Sequence, residues 1–167
     1  MEGSPHTAEA VRRNFEWLDR MAPRFELPLR DGSTFRLADH TGRHVVILNF
    51  FTTWCAECST ELPDLERYVH QLQLQHKPVV AIAIDGQEQQ AAVDRFRRTL
   101  NLTLPIGIDD PGDVMRAYEV SKFPTTVVIG TEGRVRLYAP QEIANPDVSF
   151  DAVLERELES ILRSRPL

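Results

Sequence analysis

Only two cysteines occur in the 167 residues, Cys55 and Cys58, and two residues separate them. A structural disulfide stabilises a protein by closing a loop in the unfolded chain, and a loop this short closes almost nothing. The pair therefore points to chemistry: a dithiol that makes and breaks a disulfide through thiolate attack. At the start of a helix, Cys55 would meet free N–H groups and about half a unit of positive charge, and both favour thiolate over thiol. An ordinary thiol, with a pKa of about 8.5, is only a few per cent ionised at neutral pH, and lowering that pKa by about 1.5 units makes roughly half of it reactive. Cys55 is then the exposed sulfur that attacks a substrate disulfide. Cys58, half a turn deeper, resolves the mixed disulfide and leaves the pair oxidised. Run backwards, the same steps oxidise a substrate. Glu57 sits between the cysteines. Its charge opposes a nearby thiolate, so a neutral or basic residue there would raise the reduction potential; its blander role is that of a solvated first-turn acid. Glu61, three residues after Cys58, shares that residue's helix face. It could hold or accept the resolving thiol's proton, or be a surface carboxylate in a favourable dipole contact.

The elements around the pair follow from hydrophobic periodicity. Val45 to Phe51 is a continuous run rich in β-branched and aromatic residues, as expected of a strand buried on both faces. After Cys58 the period turns helical through Leu62, Leu65, Val69 and Leu72, with Pro63 near the start. Val79 to Ile84 is a second buried strand, and Gln87 to Leu100 a helix facing inward through Val93, Phe96 and Leu100. Asp110-Pro111-Gly112 breaks the chain before a short helix through Val114, Met115 and Tyr118. Strands at Thr125 to Ile129 and Val135 to Tyr138 flank a turn, and a last helix faces inward through Phe150, Leu154, Leu158 and Ile161 after a loop with Pro140 and Pro146. Ahead of all this, Phe25 and Leu27, then Phe35 and Leu37, alternate around Asp31-Gly32 as a short hairpin. Strand-helix-strand-helix demands parallel strands with right-handed crossovers, and the later hairpin adds an antiparallel edge. The expected fold is an α/β sandwich: a central mixed β-sheet with helices on both faces. The redox pair then sits past the C-terminal end of a buried strand, the edge where sites collect in such sheets.

Residues 1–21 are expected to form a helical extension to a domain at 22–167. Ser4 would cap a helix reaching Met21, with Val11, Phe15 and Leu18 on its inner face and Trp17 and Met21 widening it. That helix either packs on the domain or binds a partner. Met1 to Ala10 has no Lys or Arg and no apolar stretch of the kind an export signal carries. The chain is thus expected to be cytoplasmic, or extracytoplasmic with its export segment removed.

Composition narrows the class. With 42% apolar and 26% charged residues the chain is globular rather than disordered. The longest apolar run, Val79 to Ile84, is far short of the ~20 residues that span a bilayer. Nineteen basic against 25 acidic residues, a net charge of −6, argue against a nucleic-acid binder. No cofactor is called for. A zinc site from Cys55, Cys58, His70 and His76 has nearly the spacing of a finger but the wrong setting, after a buried strand rather than on a small hairpin.

Taken together, the motifs resemble those of the thioredoxin-fold TlpA/ResA-like thiol–disulfide oxidoreductases. The residues that carry the resemblance are Ala22-Pro23-Arg24-Phe25-Glu26-Leu27-Pro28, Asp31-Gly32, Leu48-Asn49-Phe50, Thr53-Trp54-Cys55-Ala56-Glu57-Cys58, Ser59-Thr60-Glu61-Leu62-Pro63 and Lys122-Phe123-Pro124-Thr125-Thr126. The resemblance implies a thioredoxin-like three-layer sandwich with an N-terminal hairpin and a central insertion at Val79 to Val120. It implies Cys55, Cys58, Glu61 and a cis Pro124 as the catalytic set, with Trp54, Glu57, Phe123 and Thr125 binding substrate or tuning the sulfurs. It implies an extracytoplasmic protein that acts on disulfides or thiols of protein clients, apocytochrome c among them, and is recharged by an upstream redox partner. Asn49 stands where ordinary thioredoxins carry a buried aspartate, which shifts proton handling to Glu61. Two other readings use the same scaffold. Thr52 and Cys55 form the T-x-x-C of thiol peroxidases of the peroxiredoxin type, and a non-catalytic binding module needs no cysteine pair at all.

Overall fold

The computed structural model describes residues 5–86, 88–140 and 150–163; Ser4, Gln87 and Pro146 lie outside them, as does the side chain of Phe150. The elements in chain order are α1 (Pro5–Trp17), β1 (Glu26–Pro28), β2 (Thr34–Arg36), β3 (Val45–Phe51), α2 (Ala56–Leu74), β4 (Val79–Asp85) and α3 (Gln90–Thr99). They continue with β5 (Ile106–Ile108), α4 (Asp113–Ala117), β6 (Thr125–Ile129), β7 (Val135–Pro140) and α5 (Phe150–Arg163). The main sheet runs β5-β4-β3-β6-β7. Within it β3, β4 and β5 are parallel, and β6 and β7 are antiparallel additions. The mixed α/β sandwich expected from the periodicity is the fold found.

β3 is the centre of the sheet and all seven of its residues are buried. Its side chains alternate between two cores, as a period of two requires. Val45, Ile47 and Phe51 enter the core shared with α2, α3 and α5. Val46, Leu48 and Phe50 enter the core shared with α4, the β1–β2 hairpin and Trp17. Asn49 is one of the first set by parity, so its polar side chain is directed at α2. α2 runs unbroken through Pro63 and buries Cys58, Leu62, Leu65, Val69 and Leu72. Leu154, Leu158 and Ile161 of α5 pack into the same layer.

Two expectations are corrected. The first concerns β5, which the periodicity did not reveal: three residues with Gly107 in the middle are too short to show alternation. Ile106–Ile108 is a strand because β4 offers it a parallel edge. The hairpin closes over it through a bridge between Leu29 and Gly107, where a Cβ would come within 3.0 Å of Leu27 Cδ1.

The second concerns α1, which ends at Trp17 rather than Met21. Asp19 takes a left-handed φ of 65°, and the chain turns so that Met21 bridges to Arg134. The inner face is therefore Ala10 and Trp17; Val11 and Phe15 are exposed, Phe15 to 71%. Trp17 is fully buried and stacks on Tyr118 and Tyr138 with ring centroids 5.8 and 5.1 Å away. The Arg20 guanidinium covers its ring at 3.9 Å, and its indole N–H donates to Glu119 Oε2 at 3.1 Å.

Candidate active site

The cysteines lie where the parallel strands end. β3 and β4 are paired up to Phe51 and Asp85, and the four residues after Phe51 carry the chain to Cys55. Thr125 of β6 faces Phe50, so the antiparallel register puts Pro124 and Phe123 beside Phe51 and Thr52. The topology thus gathers the ends of β3 and β4 and the entry to β6 at one edge. The Phe123–Pro124 peptide bond is cis. Thr125 is buried, and its hydroxyl donates to the Lys122 carbonyl at 2.7 Å, closing the turn into β6.

Cys55 is the N-cap of α2, in extended conformation, and its Sγ accepts the Cys58 N–H at 3.2 Å. It is joined to Cys58 by a disulfide, with the two Cα atoms 5.3 Å apart. One free N–H of the helix terminus is therefore aimed at the attacking sulfur, the local arrangement that stabilises a thiolate once the bond opens. In this oxidised form Cys55 is not the exposed residue expected: it retains 5% of its surface, because its sulfur turns inward to Cys58, which is fully covered. The exposed residue is Trp54, at 76%, with its ring edge-on to Phe123 at 6.4 Å. Glu57 Oε2 lies 3.8 Å from Cys55 Sγ, so its charge acts on the attacking sulfur at short range.

Glu61 is half-buried on the side of α2 that faces β3. Its Oε1 accepts from Asn49 Nδ2 at 3.2 Å and from the Thr126 hydroxyl at 3.1 Å, and Asn49 Nδ2 also lies 3.1 Å from Thr126 Oγ1. Asn49 and Thr126 are cross-strand partners, both buried, so the sheet fixes this carboxylate from below. Asn49 Oδ1 and Thr52 Oγ1 are buried and have no hydrogen-bond partner among the described residues.

Sequence reasoning missed two acids. Glu88 accepts the Thr53 N–H with both carboxylate oxygens, at 2.9 and 3.1 Å, and so pins the loop that carries Trp54 and Cys55. Asp85, at the end of β4, is buried and accepts the Glu88 N–H at 3.3 Å. Between them Gly86 packs so closely on the loop that a Cβ there would stand 2.9 Å from Thr52 Cγ2 and 3.1 Å from the Phe51 carbonyl. The available signal was an acid ending an apolar strand at the sheet edge where sites form.

Burial, opposed in part by the Glu88 N–H and reinforced by the Glu88 charge, pushes the Asp85 carboxyl up to about 6. A carboxyl whose pKa is higher folded than unfolded holds its proton more tightly in the native state. Stability is then full below the unfolded value of 3.8, falls as pH rises towards about 6, and is level above it. Asp85→Asn keeps an oxygen for the Glu88 N–H and removes the charge. It should raise stability at pH 7 by on the order of 1–3 kcal/mol and flatten the slope between pH 4 and 6, as read by urea denaturation at several pH values. An unchanged slope would show that Asp85 titrates normally.

His70 is exposed on α2, and His76 is exposed just beyond it at a positive φ of 60°. Neither is drawn to the cysteines, which are bonded to each other, and no group of three or more metal-ligating side chains occurs among the described residues.

A model of the AhpC/TSA family matches residues 18–138. The thiol-disulfide oxidoreductase ResA of Geobacillus kaustophilus is 35% identical over 142 residues, which cover 84% of this chain and 75% of that protein. ResA of Bacillus subtilis is 35% identical over 115 residues, 68% of this chain and 62% of that one. The chain belongs to the ResA-like branch of the AhpC/TSA family. It is a thiol–disulfide oxidoreductase, with Cys55–Cys58 as its CxxC pair. Among solved structures it resembles a thiol:disulfide interchange protein assigned as DsbE from Chlorobium tepidum, with TM-score 0.76, 24% identity and coverage of 87% of this chain and 97% of that one. It also resembles the exposed lipoprotein thioredoxin of Streptococcus pneumoniae, with TM-score 0.66, 28% identity and coverage of 82% and 99%. These neighbours bear out the thioredoxin-like fold. No helix among the described residues is long and apolar enough to cross a membrane.

Proposed function

We propose that the protein works as a reductase of protein disulfides. The observation that carries this direction is Glu57 Oε2 at 3.8 Å from Cys55 Sγ. A negative charge there disfavours the thiolate of the reduced form, and destabilising that form makes the pair a stronger electron donor. In the reduced protein the Cys55 thiolate, capped by the Cys58 N–H, attacks one sulfur of a client disulfide. The Cys55–client bond forms, the client's S–S bond breaks, and the other client sulfur leaves as a thiolate that takes up a proton. Cys58 gives its proton to Glu61, which Asn49 and Thr126 hold in place, and its thiolate attacks Cys55. The Cys55–Cys58 bond forms and the client's second sulfur is released. Two electrons have passed from the pair to the client, and an upstream dithiol donor restores them.

Pro124 and Phe123, which the β3–β6 register sets beside Phe51 and Thr52, present backbone to an extended client strand, a short β-augmentation. Thr125 fixes that turn, and Trp54 offers the client an apolar face. The clients are extracytoplasmic proteins, apocytochrome c among them. The likeness to an exposed lipoprotein supports that compartment. The test is a trap. Cys58→Ser should leave Cys55 covalently bonded to its clients, released by dithiothreitol and named by mass spectrometry. Recovery of no disulfide-linked protein, with Cys55 free and alkylatable, would count against the reading.

A further inference from the structure

A groove of ≈ 340 Å³ opens beside Cys55, between the Trp54–Ala56 loop and α3, with Arg95, Phe96 and Leu100 on its far wall. The volume falls within the ~300–1,000 Å³ of sites that hold a ligand of a few residues. Its lining pairs apolar surface from the exposed Trp54 ring, Phe96 and Leu100 with one cation. That cation is unusual here. The chain has a net charge of −6, yet α3 carries three arginines against Asp94. Asp94 is committed to a two-pronged ion pair with Arg30 and feels Arg97 and Arg98, and Arg97 also acts on Asp31. None of the three arginines makes an ion pair or hydrogen bond among the described residues, and Arg95 is the one that lines the groove, where it stands exposed. Glu57 supplies the opposite sign 3.8 Å from Cys55 Sγ.

We propose that this groove takes the client chain on one side of its reacting cysteine, and that Arg95 selects clients with an acidic residue there, next to an apolar side chain laid on Trp54, Phe96 and Leu100. The inference rests on the disulfide-reductase reading and names its substrate class. Cys55 itself lines the groove, so the groove offers a path to a client bonded to it. An exposed ion pair contributes modestly, so the selection is a several-fold bias in rate rather than an absolute gate.

The test compares two disulfide-linked peptides of one length, each with a leucine beside the cysteine and either glutamate or lysine two residues away. The measurement is the ratio of their kcat/KM values, which cancels any general loss of activity. The wild type should favour the glutamate peptide by roughly three- to tenfold at low salt, and the ratio should approach one at high salt. Arg95→Glu should invert the ratio, and Arg95→Ala should bring it near one. A ratio unchanged in both variants, with exchange still running, overturns the groove and leaves the reductase reading standing. Failure of the wild type to reduce either peptide sinks that reading and the inference with it.

Discussion

Cys55→Ser should abolish disulfide exchange, with turnover falling to the uncatalysed background, roughly three orders of magnitude or more below the wild type. A serine hydroxyl in the same place is not ionised at neutral pH, and an alkoxide does not exchange with disulfides. The helix-capping role survives, because the serine oxygen can accept the Cys58 N–H that Cys55 Sγ accepts now. The fold should be retained, so the loss reads as chemistry. Cys58→Ser should behave differently. Its first attack is intact, so one client thiol per protein is released in a single turnover, after which Cys55 remains blocked. The contrast between no release and stoichiometric release assigns the two sulfurs their order. Equal behaviour of the two variants would contradict it.

Trp17→Ala should be the most damaging substitution away from the sulfurs, costing about 3–5 kcal/mol. The indole is fully buried between two tyrosines and beneath the Arg20 guanidinium, and its N–H reaches Glu119. At about 2–4 °C per kcal/mol for a chain of this size, the melting temperature should fall by roughly 6–20 °C. Phe15→Ala, two positions away and 71% exposed, should stay within about 0.5 kcal/mol of the wild type. The pair is decisive because simple helical periodicity ranks Phe15 as an inner residue. A large loss for Phe15 and a small one for Trp17 would mean that α1 docks by the other face. Residue 17 also lies just ahead of the segment the family model matches, so the stack is a property to be measured on this chain itself.

The contrast between those two aromatic residues shows where sequence reading stops. β3, β4, β6 and β7 were legible because each is a run of apolar residues long enough to outweigh its neighbours, and their order dictated a mixed sheet with the cysteines at its edge. The face of α1 was not, because it depends on Tyr118 and Tyr138, more than a hundred residues distant, and on the left-handed turn at Asp19. β5 was hidden by its length. At the site, the cysteine pair, Glu57 and Glu61 could be read from spacing, and Pro124 from the motif it closes. The hold of Glu88 on the Thr53 amide spans 35 residues and comes from the adjacency of β3 and β4, which no local pattern records. Asn49 was visible as a substitution for an acid, but its pairing with Thr126 beneath Glu61 required the β3–β6 register.

The most direct test is an equilibrium titration of the wild-type protein against thiol–disulfide buffers, with the state of both cysteines read by alkylation and intact mass. A single reversible two-electron transition should appear, in which Cys55 and Cys58 open and close together and, once open, Cys55 is alkylated first. A pair that stays bonded across the buffered range, or that opens without ever closing again, would contradict the account.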